Sequence, residues 1–177
     1  MNDFLTSVER RAFAIAKIAV TNPDDALELV QESMLKLVQL YSNKPREQWT
    51  PLFYKILQSR IRDWYRRNKV KNRIFSWFKG NHQQEDDYYG DPVEQTAAPA
   101  SVEPTQLVST ELANKQLECA LKTLSIRQQQ CFLLRAWEGM SVKEAAFVMK
   151  CSEGSVKTHY SRAVHALKIL MQDWNDE

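Results

Sequence analysis

The sequence predicts an all-α protein built as two small helical domains joined by a flexible acidic linker. Three observations carry this expectation. Glycine and proline are scarce, at four and six of 177 residues. Apolar residues recur at intervals of three and four along most of the chain, the period of a half-buried helix. Between residues 82 and 105 that period stops, and Asp91-Pro92, Ala97-Ala98-Pro99-Ala100 and Glu103-Pro104 follow one another in an acidic stretch with few apolar residues. Such a composition cannot bury enough surface to offset the entropy of ordering it. The expected boundaries are therefore 1–80, 81–106 and 107–177.

In the first domain, Val8, Ala12, Ile15, Ala16 and Ala19 form one stripe of a helix that ends at Asn22-Pro23. Asp24 and Asp25 then place negative charge where the next helix dipole is positive. That second helix is expected to bury Leu27, Val30, Met34, Leu37, Val38 and Tyr41, and to stop near residues 43–45. A third stripe runs through Phe53, Ile56, Leu57, Ile61 and Trp64. Its outer face carries Lys55, Ser59, Arg62, Asp63 and Arg66, continuing into Arg67, Lys69, Lys71 and Arg73. Trp49, Tyr54, Trp64, Tyr65 and Trp77 are interleaved with this basic run. Cationic groups can follow a phosphate backbone while aromatic faces stack on bases, a combination suited to single-stranded nucleic acid. Trp64 lies on the buried stripe and reads equally well as core, and for Trp49 and Tyr65 both readings stay open.

The second domain ends in a helix-turn-helix. Val142, Ala145, Ala146 and Met149 make a short helix, and residues 151–154 supply the connection. In the longer helix that follows, Val156, Tyr160, Ala163, Val164, Leu167, Leu170 and Met171 share the expected buried stripe. Lys157, Thr158, Ser161, Arg162 and His165 fall on the opposite face, and none of them is acidic. A short scaffold helix followed by a longer one with a polar, basic face is how a recognition helix enters the major groove. Ser155 and His159 sit nearer the helix start, where phosphate contact is natural.

The net charge of +2 hides a strong asymmetry. Residues 44–79 hold eleven basic and two acidic side chains, a net of +9, whereas residues 80–118 hold eight acidic and one basic, a net of −7. The first block would attract phosphate by releasing counterions. The second would repel phosphate and suit a basic channel on a partner. Cys119, Cys131 and Cys151 are odd in number and lie in helical segments, so they read as small core residues and not as a disulfide or zinc framework. No metal, cofactor or catalytic residue set is expected. An apolar run long enough to span a bilayer and a signal-peptide pattern are both missing, so the expectation is a cytoplasmic chain without membrane insertion.

These residues carry a resemblance to bacterial sigma factors of the extracytoplasmic-function (ECF) type, in the sigma-70 superfamily. Asp25-Ala26-Leu27-Glu28-Leu29-Val30-Gln31-Glu32 resembles the family's region 2.2, and Tyr54-Lys55-Ile56 with Asp63, Arg66 and Arg67 resembles regions 2.3–2.4. Leu124-Ser125, Cys131, Leu134, Glu138-Gly139-Met140-Ser141, Glu144-Ala145-Ala146 and Gly154-Ser155-Val156-Lys157 resemble region 4.2. The resemblance spans about 150 residues, in the family's order. The chain departs from the family at Ser125 (commonly Pro), Ser59 (commonly Asn), Gln129 (commonly Arg) and Lys150 (frequently Gly).

The resemblance implies an alternative sigma factor that binds core RNA polymerase and directs promoter-specific initiation. It implies core-polymerase contacts through Asp25, Glu28, Gln31, Glu32, Met34 and Leu35. It implies capture of the single-stranded −10 element by Trp49, Ser59, Arg62, Asp63, Tyr65, Arg66 and Arg67, with a flipped base in the 42–50 loop. Duplex −35 recognition falls to Ser155, Lys157, Thr158, His159, Ser161 and Arg162. An anti-sigma factor is the further partner implied. A response-regulator-like transcription factor would share the helix-turn-helix but needs an alternating strand–helix or sensing domain upstream. A plain helical interaction module would leave the basic face solvated.

Overall fold

The computed structural model describes residues 1–20, 22–78 and 106–173, with side chains over 1–20, 22–68 and 115–171. The acidic stretch at 82–105 and the side chains of Lys69, Lys71, Arg73 and Trp77 lie outside the described residues. Among the described residues there are helices and no strands. The first group comprises α1 (Asn2–Val20), α2 (Pro23–Tyr41), a 3-10 turn (Arg46–Gln48) and α3 (Trp49–Phe78). The second comprises α4 (Gln106–Thr123), α5 (Ile126–Phe132), a π-helical turn (Leu133–Trp137), α6 (Val142–Met149) and α7 (Glu153–Asp173).

The junction of α1 and α2 follows from local chemistry. Asn22 caps α2, its side-chain oxygen accepting from the Asp24 amide at 2.8 Å, and Pro23 fills a first-turn position where no amide is needed. The α1 stripe is buried as expected and gains Phe4, Ile18 and Val20. In α2 the buried face is Ala26, Leu29, Val30, Ser33 and Leu37, with the Ser33 hydroxyl bonded to the Leu29 carbonyl at 2.6 Å. Leu27 and Val38, expected in the core, are instead 42% and 38% exposed. Small Ala26 and Ser33 let α2 approach its neighbours, and this turns the larger residues outward. On α3, Phe53, Tyr54, Leu57, Gln58 and Ile61 are buried, so Tyr54 is core and not a stacking platform.

The second group is held by caps and by one buried amide. Ser125 starts α5, its amide donating to Gln128 Oε1 at 3.2 Å. Gln129 is buried and donates to the Leu121 carbonyl at 2.9 Å, tying α5 to α4. The Cys131 thiol donates to the Val156 carbonyl at 3.2 Å, tying α5 to α7. Burial, followed by nearby Cys151, pushes that thiol up to about 11. Cys119, in contrast to the expectation, is exposed, and Cys151 is half-buried.

The two groups touch along a seam. α6 packs on α3 and α4 on α1, and the buried side chains form one continuous core. The Lys55 ammonium sits 3.7 Å from the Phe147 ring centre, a cation–π contact across the seam. Arg11 Nε lies 3.8 Å from Glu138 Oε1, whose side chain is only 2% exposed.

Candidate nucleic-acid interface

The helix-turn-helix is built from caps outward. In α6, Ser141 and Glu144 form a capping box: the Glu144 amide donates to Ser141 Oγ at 3.2 Å, and the Ser141 amide donates to Glu144 Oε2 at 2.8 Å. The Ser141 hydroxyl also donates to Glu144 Oε2 at 2.7 Å, and this bond, followed by the one from the Ser141 amide, holds the Glu144 carboxyl below its ordinary range. Lys150 closes α6 in the left-handed conformation (φ 54, ψ 51), its amide bonding the Ala146 carbonyl. Arg127 Nη1 donates to the Met149 carbonyl at 2.8 Å, fixing the same helix end from α5. Ser152 then starts α7, its hydroxyl oxygen accepting from the Ser155 amide at 3.1 Å.

Val156, Ala163 and Leu167 anchor α7 in the core. Lys157, Thr158, Ser161, Arg162 and His165 are all exposed on the opposite side, so the structure brings these predicted residues together. The Thr158 hydroxyl donates to the Gly154 carbonyl at 3.0 Å, which leaves its oxygen to accept. Ser155 is half-buried, and its hydroxyl lies 2.9 Å from that of Ser152. His159 is half-buried at the edge of this face; burial, and then the Arg127 and Arg162 guanidinium groups, hold its imidazole below the ordinary value. It is therefore uncharged near neutral pH. Val164, expected on the buried stripe, is 41% exposed.

The α3 set is divided. Ser59, Arg62, Asp63 and Arg66 recur at helical spacing with Lys55 and share one face, where Arg66 pairs with Asp63 at 2.9 Å. That face is the one α6 approaches: Phe147 sits under Lys55, and Arg62 is partly desolvated with Arg127 nearby, both lowering its pKa. Three other predicted residues lie elsewhere. Tyr65 donates its hydroxyl to the Ala19 carbonyl and packs edge-on against Trp64, so it positions α3 on α1. Trp49 packs against Phe4 and donates to the Lys44 carbonyl at 2.9 Å, closing the 42–50 loop. Arg67 turns toward α2 and lines a cleft with Asp25, Glu28, Leu29, Glu32, Trp64 and Asn68.

On α2, Glu28, Gln31 and Leu35 are exposed, Met34 is partly buried against the core, and Asp25 accepts from Trp64 Nε1 at 3.1 Å. Glu32 pairs with Arg60 at 3.4 Å. Leu27, Gln31, Leu35 and Val38 share one outward face, so the acidic residues border an exposed apolar strip. Sequence reasoning placed Leu27 and Val38 in the core and missed this strip. It also missed Arg127, which only tertiary packing brings to α7. No group of His, Cys, Asp and Glu among the described residues is arranged to hold a metal, and no described helix is long and apolar enough to cross a membrane.

A capped helix-turn-helix that exposes Lys157, Thr158, Ser161, Arg162 and His165, packed beside a bundle with a basic face, defines a DNA-binding protein of the helix-turn-helix class. Residues 114–167 match the sigma-70 region 4 family. The chain is 30% identical over 153 residues to the RNA polymerase sigma-E factor of Streptomyces avermitilis, a match covering 86% of this chain and 74% of that protein. It is 28% identical over 174 residues to the ECF RNA polymerase sigma factor EcfG of Rhodopseudomonas palustris, covering 96% and 83%. A match at 34% identity to the ECF sigma factor BldN of Streptomyces coelicolor covers 59% of this chain but only 39% of that relative's length. The fold is similar to that of the sigma factor RpoE of Bartonella quintana, solved with the anti-sigma factor NepR (TM-score 0.64, 20% identity, 97% and 98% of the two chains). It is also similar to that of CnrH, solved with the cytosolic domain of CnrY (TM-score 0.53, 20% identity, 95% and 86%). The chain belongs to the ECF type of the sigma-70 family.

Proposed function

We propose that the chain is an alternative sigma factor that binds core RNA polymerase and directs initiation through −35 duplex recognition and −10 strand capture. The observation that carries this reading is the exposed set Lys157, Thr158, Ser161 and Arg162 on a capped α7, inside the segment matched by region 4. Base-edge contacts by such groups discriminate by about 1–3 kcal/mol per good bidentate pair. Residues 1–80 would act as region 2, residues 107–177 as region 4, and 81–106 as the connection between them.

The α3 face of Ser59, Arg62, Asp63 and Arg66 is then the strand-holding surface. Trp49 supports the 42–50 loop as the receptor for a flipped base. Unstacking a base costs on the order of a few kcal/mol, which the loop must return. The apolar strip of Leu27, Leu35 and Val38, bordered by Glu28 and Glu32, suits the polymerase, with Asp25, Gln31 and Met34 at its margins. In this reading the chain performs no reaction of its own, takes no cofactor, and works in the cytoplasm with the polymerase. An anti-sigma factor is its inhibitory partner, as NepR and CnrY accompany the two structural relatives.

In vitro transcription with core polymerase on a genomic fragment library tests the proposal. Transcripts sharing spaced −35 and −10 elements are expected. A chain that binds duplex DNA but never yields a transcript would favour a regulator and refute the sigma reading.

A further inference from the structure

We propose that Arg62, Arg127, His159 and Arg162, drawn from α3, α5 and α7, form a binding site for a small phosphate anion. The ligand is free phosphate or the terminal phosphate of a nucleotide, and the site does not depend on the chain's acting as a sigma factor.

Each member is placed by an independent observation. Arg127 Nη1 donates to the Met149 carbonyl at 2.8 Å, which spends one donor and pins the guanidinium at the end of α6, the helix that packs on α3. Arg62 Nη1, on α3, is buried without a hydrogen-bond partner. His159 and Arg162 lie one helical turn apart on α7, the first half-buried and the second exposed. The four groups are close enough to act on one another. Burial and then Arg127 hold Arg62 below its ordinary value, and burial, Arg127 and Arg162 do the same to His159. Asp63 is the acid that opposes this at Arg62, and it is paired with Arg66 at 2.9 Å. No acid is among the groups that act on His159.

An anion answers both defects of this cluster. It supplies an acceptor to a buried charged donor, which a fold rarely leaves unmade. It also turns the repulsion between Arg62 and Arg127 into shared attraction. Guanidinium forks match the spacing of phosphate oxygens and bind them in pairs. His159, uncharged near neutral pH, can donate one ring N–H and take up a second proton beside a dianion. The burial of Arg62 Nη1 selects for size. A terminal phosphate can reach that nitrogen end-on, whereas the internal phosphodiesters of a duplex on α7 have no free end to insert.

The test titrates the full chain, without polymerase, with inorganic phosphate and with adenosine monophosphate, ionic strength being held constant with chloride. A saturable rise in Tm is expected, because a ligand of the folded state stabilises it by mass action. The His159 imidazole should titrate at higher pH with either probe bound, read by NMR, while His165, exposed further along α7, does not move. Arg62→Gln and Arg127→Gln should each weaken binding on the order of tenfold, the loss of one charge-assisted pair. If a variant fails to fold, the His159 shift in the parent chain decides. Tighter binding of the nucleotide than of phosphate assigns the site to a terminal phosphate, and the reverse assigns it to the free anion. A Tm no higher than in matched chloride, a His159 titration unmoved by both probes, or parent-like affinity in both variants overturns the proposal. So does a His159 shift produced by duplex DNA alone, which would make the cluster a nucleic-acid surface. The library transcription assay bears on the sigma reading separately.

Discussion

Lys150→Gly is expected to stabilise the protein, because a helix that ends in the left-handed conformation favours glycine there. Lys150 holds φ 54 and ψ 51, the left-handed conformation in which a side chain crowds the following carbonyl. That conformation costs a non-glycine residue about 1–2 kcal/mol. Glycine removes the cost but enlarges the unfolded ensemble, returning about 0.4–1 kcal/mol of it. The Lys150 side chain is exposed, so little packing is lost. The net expectation is about 0.5–1 kcal/mol of stabilisation, a rise in Tm of roughly 2 °C for a chain of this size. Gly139 provides the opposite sign. It sits at φ 67, and a Cβ added there would meet no atom within 4 Å, so Gly139→Ala should bring about 1–2 kcal/mol of backbone strain, of which the narrower unfolded ensemble returns about 0.4–1 kcal/mol. Thermal unfolding followed by far-UV circular dichroism measures both, with −35 duplex affinity as a check that α7 has not moved. A neutral or destabilised Lys150→Gly would refute the argument that this turn is strained.

Arg162→Ala should weaken −35 duplex binding by about 1–3 kcal/mol and relax preference at one or two base pairs, read by footprinting on a sequence library; unchanged preference would remove Arg162 from the groove. Arg66→Ala and Arg67→Ala should separate, since Arg66 shares the strand face while Arg67 lines the acidic cleft of α2. Permanganate reactivity of −10 thymines should drop for the first, and polymerase affinity should change for the second. Because the Glu144 carboxyl lies below its ordinary value, the α6 cap contributes above about pH 4.5 and is lost as pH falls through the lowered value. Ser141→Ala should weaken that pH dependence, leaving the part that the backbone amide supplies, and cost about 1 kcal/mol at neutral pH, measured by urea unfolding across pH. His159 is held low first by burial and then by Arg127 and Arg162, so Arg127→Gln should raise its pKa in an NMR titration. Its neutral form is favoured in the fold, so its contribution to stability is complete above pH 6.5 and declines below it.

Much of this was legible in the sequence because helical periodicity reports which residues share a face. The α1 stripe, the short α6 and the polar face of α7 all follow from spacing, and the caps that start α2, α6 and α7 are local signals. Periodicity does not report what covers a face. Leu27, Gln31, Leu35 and Val38 repeat as regularly as any core stripe, yet they point outward. Ala26, Leu29, Ser33 and Leu37 repeat just as well, and Ser33 is core only because its hydroxyl is spent on the Leu29 carbonyl. The aromatic residues mislead in the same way. Tyr54 is fully buried, Tyr65 is bound to the Ala19 carbonyl and Trp64 to Asp25, so these three rings of the basic run hold the bundle together.

The departures from the family pattern become intelligible once their neighbours are visible. Ser125, where proline is common, supplies a hydrogen-bonded start to α5. Gln129, where arginine is common, is buried and gives its amide to Leu121, a bond that binds α4 to α5 without burying a charge. With that position neutral, the guanidinium beside α7 comes from Arg127, which clamps the Met149 carbonyl and faces both His159 and Arg62. One exposed arginine therefore bonds the turn and acts electrostatically on the edge of α7 and on the seam. Substituting it should shift the His159 titration and ease the like-charge repulsion at Arg62 together. Such coupled effects separate a tertiary junction from a surface charge, because a surface arginine would move neither.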